Sequence, residues 1–183
     1  AENEVRTENI AYNAADAAAA AKAASREKAA AEKAAADAAA AAEAERLAAE
    51  EAARKAAQEA YEALPDYDQA LAQALADPDK HILFALGKTE IRESEAAKVQ
   101  ALADQLGEAP DTKVHIIGYA DKETGTHAQN LYISKYRAKA VVKALEELGV
   151  CTDRISYDFV GDEEQVEGGK EANRLALCVV TYK

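Results

Sequence analysis

The stretch KVHIIGYADKETGTHAQNLYISKYRA, residues 113–138, holds a strand, a polar turn and the start of a helix. Val114, Ile116 and Ile117 sit in an apolar, β-branched run, the composition of a buried strand. Polar residues and Gly125 interrupt it between Asp121 and Thr126. Thr126 then stands three residues before Gln129, the spacing of a capping box. From there Leu131, Ala138, Val141, Leu145 and Leu148 recur at helical spacing until Gly149.

Working outward, His81–Leu86 reads as a strand, and Ser94–Leu106 as a helix with Ala97, Val99, Leu102 and Leu106 apolar and Gly107 ending it. Arg154–Val160 and Arg174–Tyr182 read as strands. The order β-α-β-α-β-β predicts an α+β domain over 81–183 with helices packed on one face of a mixed sheet. About 100 residues suffice for one stable core.

The chain upstream differs. Residues 1–64 contain 31 alanines, no Gly and no Pro, and Glu, Lys, Arg and Leu supply much of the rest. These are the strongest helix formers, so this segment is predicted as one long α-helical arm of roughly 80 Å. Lys28/Glu32, Glu50/Arg54 and Glu51/Lys55 are four apart and add surface pairs. One strip holds only alanine: Ala17, Ala20, Ala24, Ala31, Ala35, Ala38, Ala42, Ala49, Ala53, Ala56 and Ala60. Its spacing repeats after 18 residues, the period of a straight helix. Two readings stay open, a helix–helix seam or a solvated spacer. An alanine strip buries little area, so self-association is expected to be weak at most.

Residues 65–80 form a hinge with a proline near each end, Pro65 and Pro78. Between them Tyr67, Leu71 and Leu75 have helical spacing, and Asp66 or Asp68 can cap. Whether this short helix docks on its own chain is left open.

The chain carries 22 basic and 34 acidic residues, a formal charge of −12. That argues against nucleic acid, whose phosphates need a basic face, and against a polybasic membrane segment. No apolar run of spanning length occurs. Without a methionine the chain reads as processed or as a fragment, so any membrane segment lies upstream.

Residues 118–138 resemble the OmpA-like C-terminal domains. The resemblance lies in Gly118, Ala120-Asp121, Gly125, Asn130, Ser134 and Arg137-Ala138, matching G-x-[TA]-D, a following Gly and N-x-x-[LI]-S-x-x-R-A. Gly149-Val150 with Arg154-Ile155, Asn173-Arg174 and Phe84–Gly87 resemble further family motifs. Residues 80–183 are covered; the arm is not.

The resemblance implies non-covalent binding of peptidoglycan in the bacterial periplasm, with the diaminopimelate of the stem peptide as ligand. It implies that Asp121 takes the ammonium and Arg137 the carboxylate of its far end. A zwitterion needs one fixed anion and one fixed cation, and Arg offers a planar fork for a carboxylate. Asn130, Ser134 and Arg137 share a helix face, so Asn130 is a further candidate. Amide groups near Thr124–Thr126 are a second carboxylate site, and Arg174 is a weaker carry-over to the same carboxylate. Ala120 replaces a frequent threonine, the loop from Asp121 to Asn130 is one residue longer than the commonest form, and Leu175 replaces a frequent second arginine.

Taken alone, Asp121 and Arg137 read as an internal salt bridge; with the resemblance they read as a ligand clamp. His81, His115 and His127 lack zinc-type spacing, so no metal is expected. Spacing leaves open whether Cys151 and Cys178 pair. No nucleophile motif occurs, so neither enzyme nor cofactor is expected. The expected role is an envelope anchor to the cell wall. The alternative is a stator- or secretion-type structural module whose wall binding is lost or altered.

Overall fold

The computed structural model describes residues 2–64 and 66–182, with side chains described from 19 onward except 20, 61 and 62. The chain divides into two units, Ala1–Glu50 and Glu51–Lys183. Helix α1 runs Glu2–Glu62 without interruption, as a segment free of Gly and Pro should. In the first unit the described alanines of the strip are exposed; the side chains of Ala17 and Ala20 lie outside the described residues. Lys28 pairs with Glu32 at 3.9 Å and Arg46 with Glu43 at 2.5 Å.

The second unit follows the expected element order. Its strands are β1 (His81–Leu83), β2 (Thr112–Tyr119), β3 (Ile155–Gly161) and β4 (Leu175–Tyr182). Its further helices are α2 (Tyr67–Ala76), α3 (Ala96–Glu108) and α4 (His127–Glu147). The sheet order is β1-β4-β2-β3, with β2 and β3 parallel and β4 antiparallel to both β1 and β2. Strand β2 is therefore central, which accounts for its nearly continuous burial.

Alternation along β2 divides the core in two. Val114 and Ile116 face α3 and α4, packing with Phe84, Leu106, Val141 and Leu145. Ile117 and Tyr119 face the other way, with Leu175, Leu177 and Val179 of β4 and Tyr67 and Ala74 of α2. The expectation for 81–183 holds, since α3 and α4 cover one face; the hinge helix, whose docking was left open, covers the other. Only Leu71 of its two leucines is drawn in, while Leu75 is 42 % exposed. Asp66 takes the N-cap position of α2 without a side-chain capping bond.

Two boundaries differ from expectation for local reasons. Helix α3 continues through Gly107 to Glu108, because Gly107 keeps an ordinary φ and the chain is turned out only at Ala109, before Pro110. Strand β1 ends at Leu83; the Phe84 amide still donates to Arg174 O at 2.7 Å, and a turn with Gly87 at φ +65° follows. Arg154 donates to the carbonyls of Leu106, Ala109 and Thr112 at 2.7–2.9 Å and so holds the α3–β2 connection. Cys151 is exposed and Cys178 buried, and both are free thiols; burial pushes the Cys178 thiol up to about 12.

Candidate functional site

The site forms where β2 ends. Gly118 lies against α4: a Cβ there would stand 2.0 Å from the Ser134 carbonyl oxygen. This close approach brings one face of α4 onto the strand end. Ser134 donates to Leu131 O at 2.9 Å and accepts from the Gly161 amide at 3.1 Å, tying α4 to the end of β3. Register slips between Gly118, paired with Phe159, and Tyr119, paired with Gly161. Beyond the slip the Ala120 amide donates to Gly161 O at 2.7 Å, and Asp121 follows.

Asp121 is 3 % exposed. One carboxylate oxygen accepts from Arg174 Nε at 2.8 Å, the other from Thr124 Oγ1 at 2.6 Å. Burial pushes its carboxyl up, but the hydrogen bonds from Arg174 and Thr124 and the charges of Arg174 and Arg137 outweigh it. The group is held below the usual carboxylate range and is ionised at neutral pH. Arg174 stands immediately before β4, and Asn173 before it organises the β3–β4 loop. Asn173 accepts from the Val166 amide at 2.6 Å and donates to Val166 O at 3.0 Å and Gly169 O at 2.8 Å.

Arg137 is 2 % exposed, and its partners are carbonyls. It donates to Tyr119 O at 2.8 Å, Lys88 O at 3.1 Å and Ala85 O at 3.4 Å. The last two belong to the turn after β1. Three of its five N–H donors are thereby engaged. Among the described residues no carboxylate lies within ion-pair distance of it. The internal salt bridge that Asp121 and Arg137 suggest when taken alone is therefore absent; Asp121 pairs with Arg174 instead. Burial lowers the Arg137 guanidinium to about 10, opposed by the charge of Asp121 and assisted by those of Arg174 and Arg92, so it stays cationic near neutrality. Asp121, Arg137 and Arg174 together carry one net positive charge.

Asn130, 3 % exposed, donates to Asp121 O at 3.3 Å and to Asp162 at 2.9 Å. Gly125, at φ +81°, passes so near Asn130 that a Cβ would lie 2.9 Å from its Oδ1. The capping box at Thr126 and Gln129 forms as the sequence indicates. It engages the amides of both residues, so they are not open to a carboxylate. Above this floor lies a cleft of about 550 Å³ that Ala120, Asp121, Thr124, Asn130 and Arg137 all line. Leu86, Tyr132 and Ile133 form apolar walls.

Residues 83–176, just over half of the chain, match the OmpA family. The chain belongs to that family. It is similar to outer membrane protein 40 of Porphyromonas gingivalis, 33 % identical over 99 residues, or 54 % of this chain and 26 % of that protein. It is also similar to the probable lipoprotein YiaD of Escherichia coli, 31 % identical over 96 residues, or 52 % of this chain and 43 % of that one. The chain thus spans less than half the length of these curated relatives. Among solved structures it resembles the peptidoglycan-associated lipoprotein from Burkholderia pseudomallei, with TM-score 0.53 and 28 % identity over 59 % of this chain and 99 % of that one. The OmpA-like domain of FopA1 from Francisella tularensis shares the fold, with TM-score 0.50 and 18 % identity over 56 % of this chain and 71 % of that one.

In this OmpA domain the candidates read from sequence meet at one place, although Arg174 does not line the cleft and contacts Asp121 instead. Sequence reasoning missed Asp162. A signal existed, since Asp162 follows Gly161 at the end of the strand that runs parallel to β2. It also missed the carbonyls of Ala85 and Lys88, which no side-chain pattern reveals. His127 is exposed, with Nδ1 2.6 Å from Asp162 and outside the cleft lining. His115 is buried beneath α2 with Nδ1 2.7 Å from Ser156 Oγ. Among the described residues no group of three His, Cys, Asp or Glu could hold a metal, and no helix is long and apolar enough to cross a membrane.

Proposed function

We propose that the domain holds peptidoglycan non-covalently by the free end of diaminopimelate in the stem peptide, with Arg137 receiving the carboxylate and Asp121 the ammonium. The observation that carries this reading is Arg137: a buried guanidinium at a cleft, with two N–H donors left over and, among the described residues, no carboxylate within ion-pair distance. The cluster's single positive charge asks for an anion, and a buried cation gains most from one that is hydrogen-bonded to it. Asp121 keeps lone pairs beyond those used by Arg174 and Thr124 for an ammonium. Ala120, Thr124 and Asn130 shape the floor around the two, and Arg174 keeps Asp121 in place. A lysine-type stem peptide lacks the second carboxylate and would leave Arg137 unpaired.

The similarity to a protein named for its association with peptidoglycan, and to outer-membrane proteins, supports a place in the periplasm as part of a cell-envelope anchor. In this reading residues 1–64 space the domain from an upstream membrane-attached part, and residues 65–80 seat it.

The test is a titration followed by amide NMR shifts, with a diaminopimelate-containing stem peptide and its lysine counterpart. Wild type should show saturable shifts around Asp121, Asn130 and Arg137. Affinity should fall roughly 10- to 100-fold for the lysine peptide and for Arg137→Ala, the worth of a charged hydrogen bond. Equal affinity for both peptides, or no shifts with wild type, would refute the assignment.

A further inference from the structure

The cleft's mouth is aromatic in a way that its charged floor does not require. Tyr132 and Tyr136, one turn apart on α4, are 61 % and 41 % exposed. Their rings lie 4.4 Å apart between centroids, inclined at 40°. Tyr132 also walls the cleft, facing it together with Leu86, which is 57 % exposed. Of the six large apolar side chains that stand exposed between Glu51 and Lys183 among the described residues, three therefore gather at this mouth. Exposed apolar groups gathered at a cleft mark recognition, and tyrosine adds a hydroxyl at the edge of each ring.

Resting on the reading of the cleft given above, we propose that the Tyr132–Tyr136 pair is a carbohydrate subsite for the glycan to which the stem peptide is attached. A pyranose has the matching chemistry, an apolar C–H face for the ring and hydroxyls for the phenols. The platform is uncharged: Lys135, between the two tyrosines in sequence, places its ammonium 5.8 Å over the Phe159 ring instead. A neutral platform suits a sugar better than a phosphate. Two rings and a leucine are also far smaller than the roughly 1,000 Å² that a stable protein partner or second copy needs. Distance agrees as well. The two residues between sugar and diamino acid span roughly 7 Å when extended, and α4 rises roughly 7.5 Å from Tyr132 to Arg137.

The experiment compares two ligands by calorimetry: the sugar-free stem peptide, and the same peptide carrying its N-acetylglucosamine–N-acetylmuramic acid disaccharide. Wild type should bind the disaccharide form about three- to tenfold more tightly, the worth of one or two stacking contacts. Tyr136→Ala should abolish this increment and leave the sugar-free peptide's Kd unchanged, because Tyr136 lies outside the cleft wall. Tyr136→Phe should keep most of the increment. Equal Kd for both ligands in wild type overturns the subsite while the cleft reading stands. An increment surviving in both Tyr136→Ala and Tyr132→Ala puts the sugar elsewhere and also overturns it. Failure of both ligands to bind wild type overturns the cleft reading and the subsite together.

Discussion

Replacing Gly118 by alanine isolates the close approach on which the site is built. The added Cβ would lie 2.0 Å from the Ser134 carbonyl oxygen and 2.8 Å from its carbon. Ordinary contact begins at 3.4 Å, so α4 and β2 must separate by about 3.4 − 2.0 = 1.4 Å. The obstacle is backbone, which cannot rotate away as a side chain can. Gly118 is not among the glycines with positive φ, so conformational strain contributes nothing and the effect is one of space. Overpacking costs ~1–3 kcal/mol, and a backbone obstacle belongs at the upper end. For a domain of this size about 3 kcal/mol corresponds to a fall in Tm of roughly 12–20 °C. Gly107→Ala is the internal control: it sits within α3, and its Cβ would meet nothing within 4 Å. That change should stabilise by ~0.4–1 kcal/mol through backbone entropy alone. Thermal and urea unfolding of both variants measures the pair. A Gly118→Ala protein within about 0.5 kcal/mol of wild type would refute the packing argument, since the expected minimum is ~1 kcal/mol.

Other expectations rest on separate features. Asp121→Asn leaves Arg174 and Arg137 buried without a counter-charge and should destabilise the ligand-free domain by ~3 kcal/mol, with coupling to Arg174→Met in a urea double-mutant cycle. Burial, helped by the charge of Arg54, lowers His115 to about 4 from 6.5. The unfolded chain then binds this proton below 6.5 and the folded chain only near 4, so stability present above 6.5 is lost as pH falls across that window. The loss is on the order of 3 kcal/mol, and unfolding curves of His115→Gln should be flatter between those pH values. An isolated peptide of residues 1–64 should be strongly helical by circular dichroism. It should sediment as a monomer at low micromolar concentration, because its described alanine strip offers little area to bury.

The elements were legible in the sequence because their causes are local. Thr126 and Gln129 are three residues apart, so their capping box needs only the chain between them. The Ala-rich segment is helical by propensity, and apolar periodicity marked α3, α4 and the strands to within a few residues. Asp121, Arg137 and the glycines around them were legible as a motif. Their partners were not. Asp121 meets Arg174 across 53 positions, and Arg137 meets Ala85 and Lys88 across 52 and 49. Those contacts depend on β4 lying between β1 and β2, an order that no local pattern encodes. The face chosen by α2 was likewise invisible, since an amphipathic helix states that it must bury a side but not where. Short-range propensity and capping therefore came from the sequence alone. Which charge pairs with which, and which is left for a ligand, was decided by tertiary packing, because burial turns a list of charged residues into a site whose electrostatics depend on every neighbour at once.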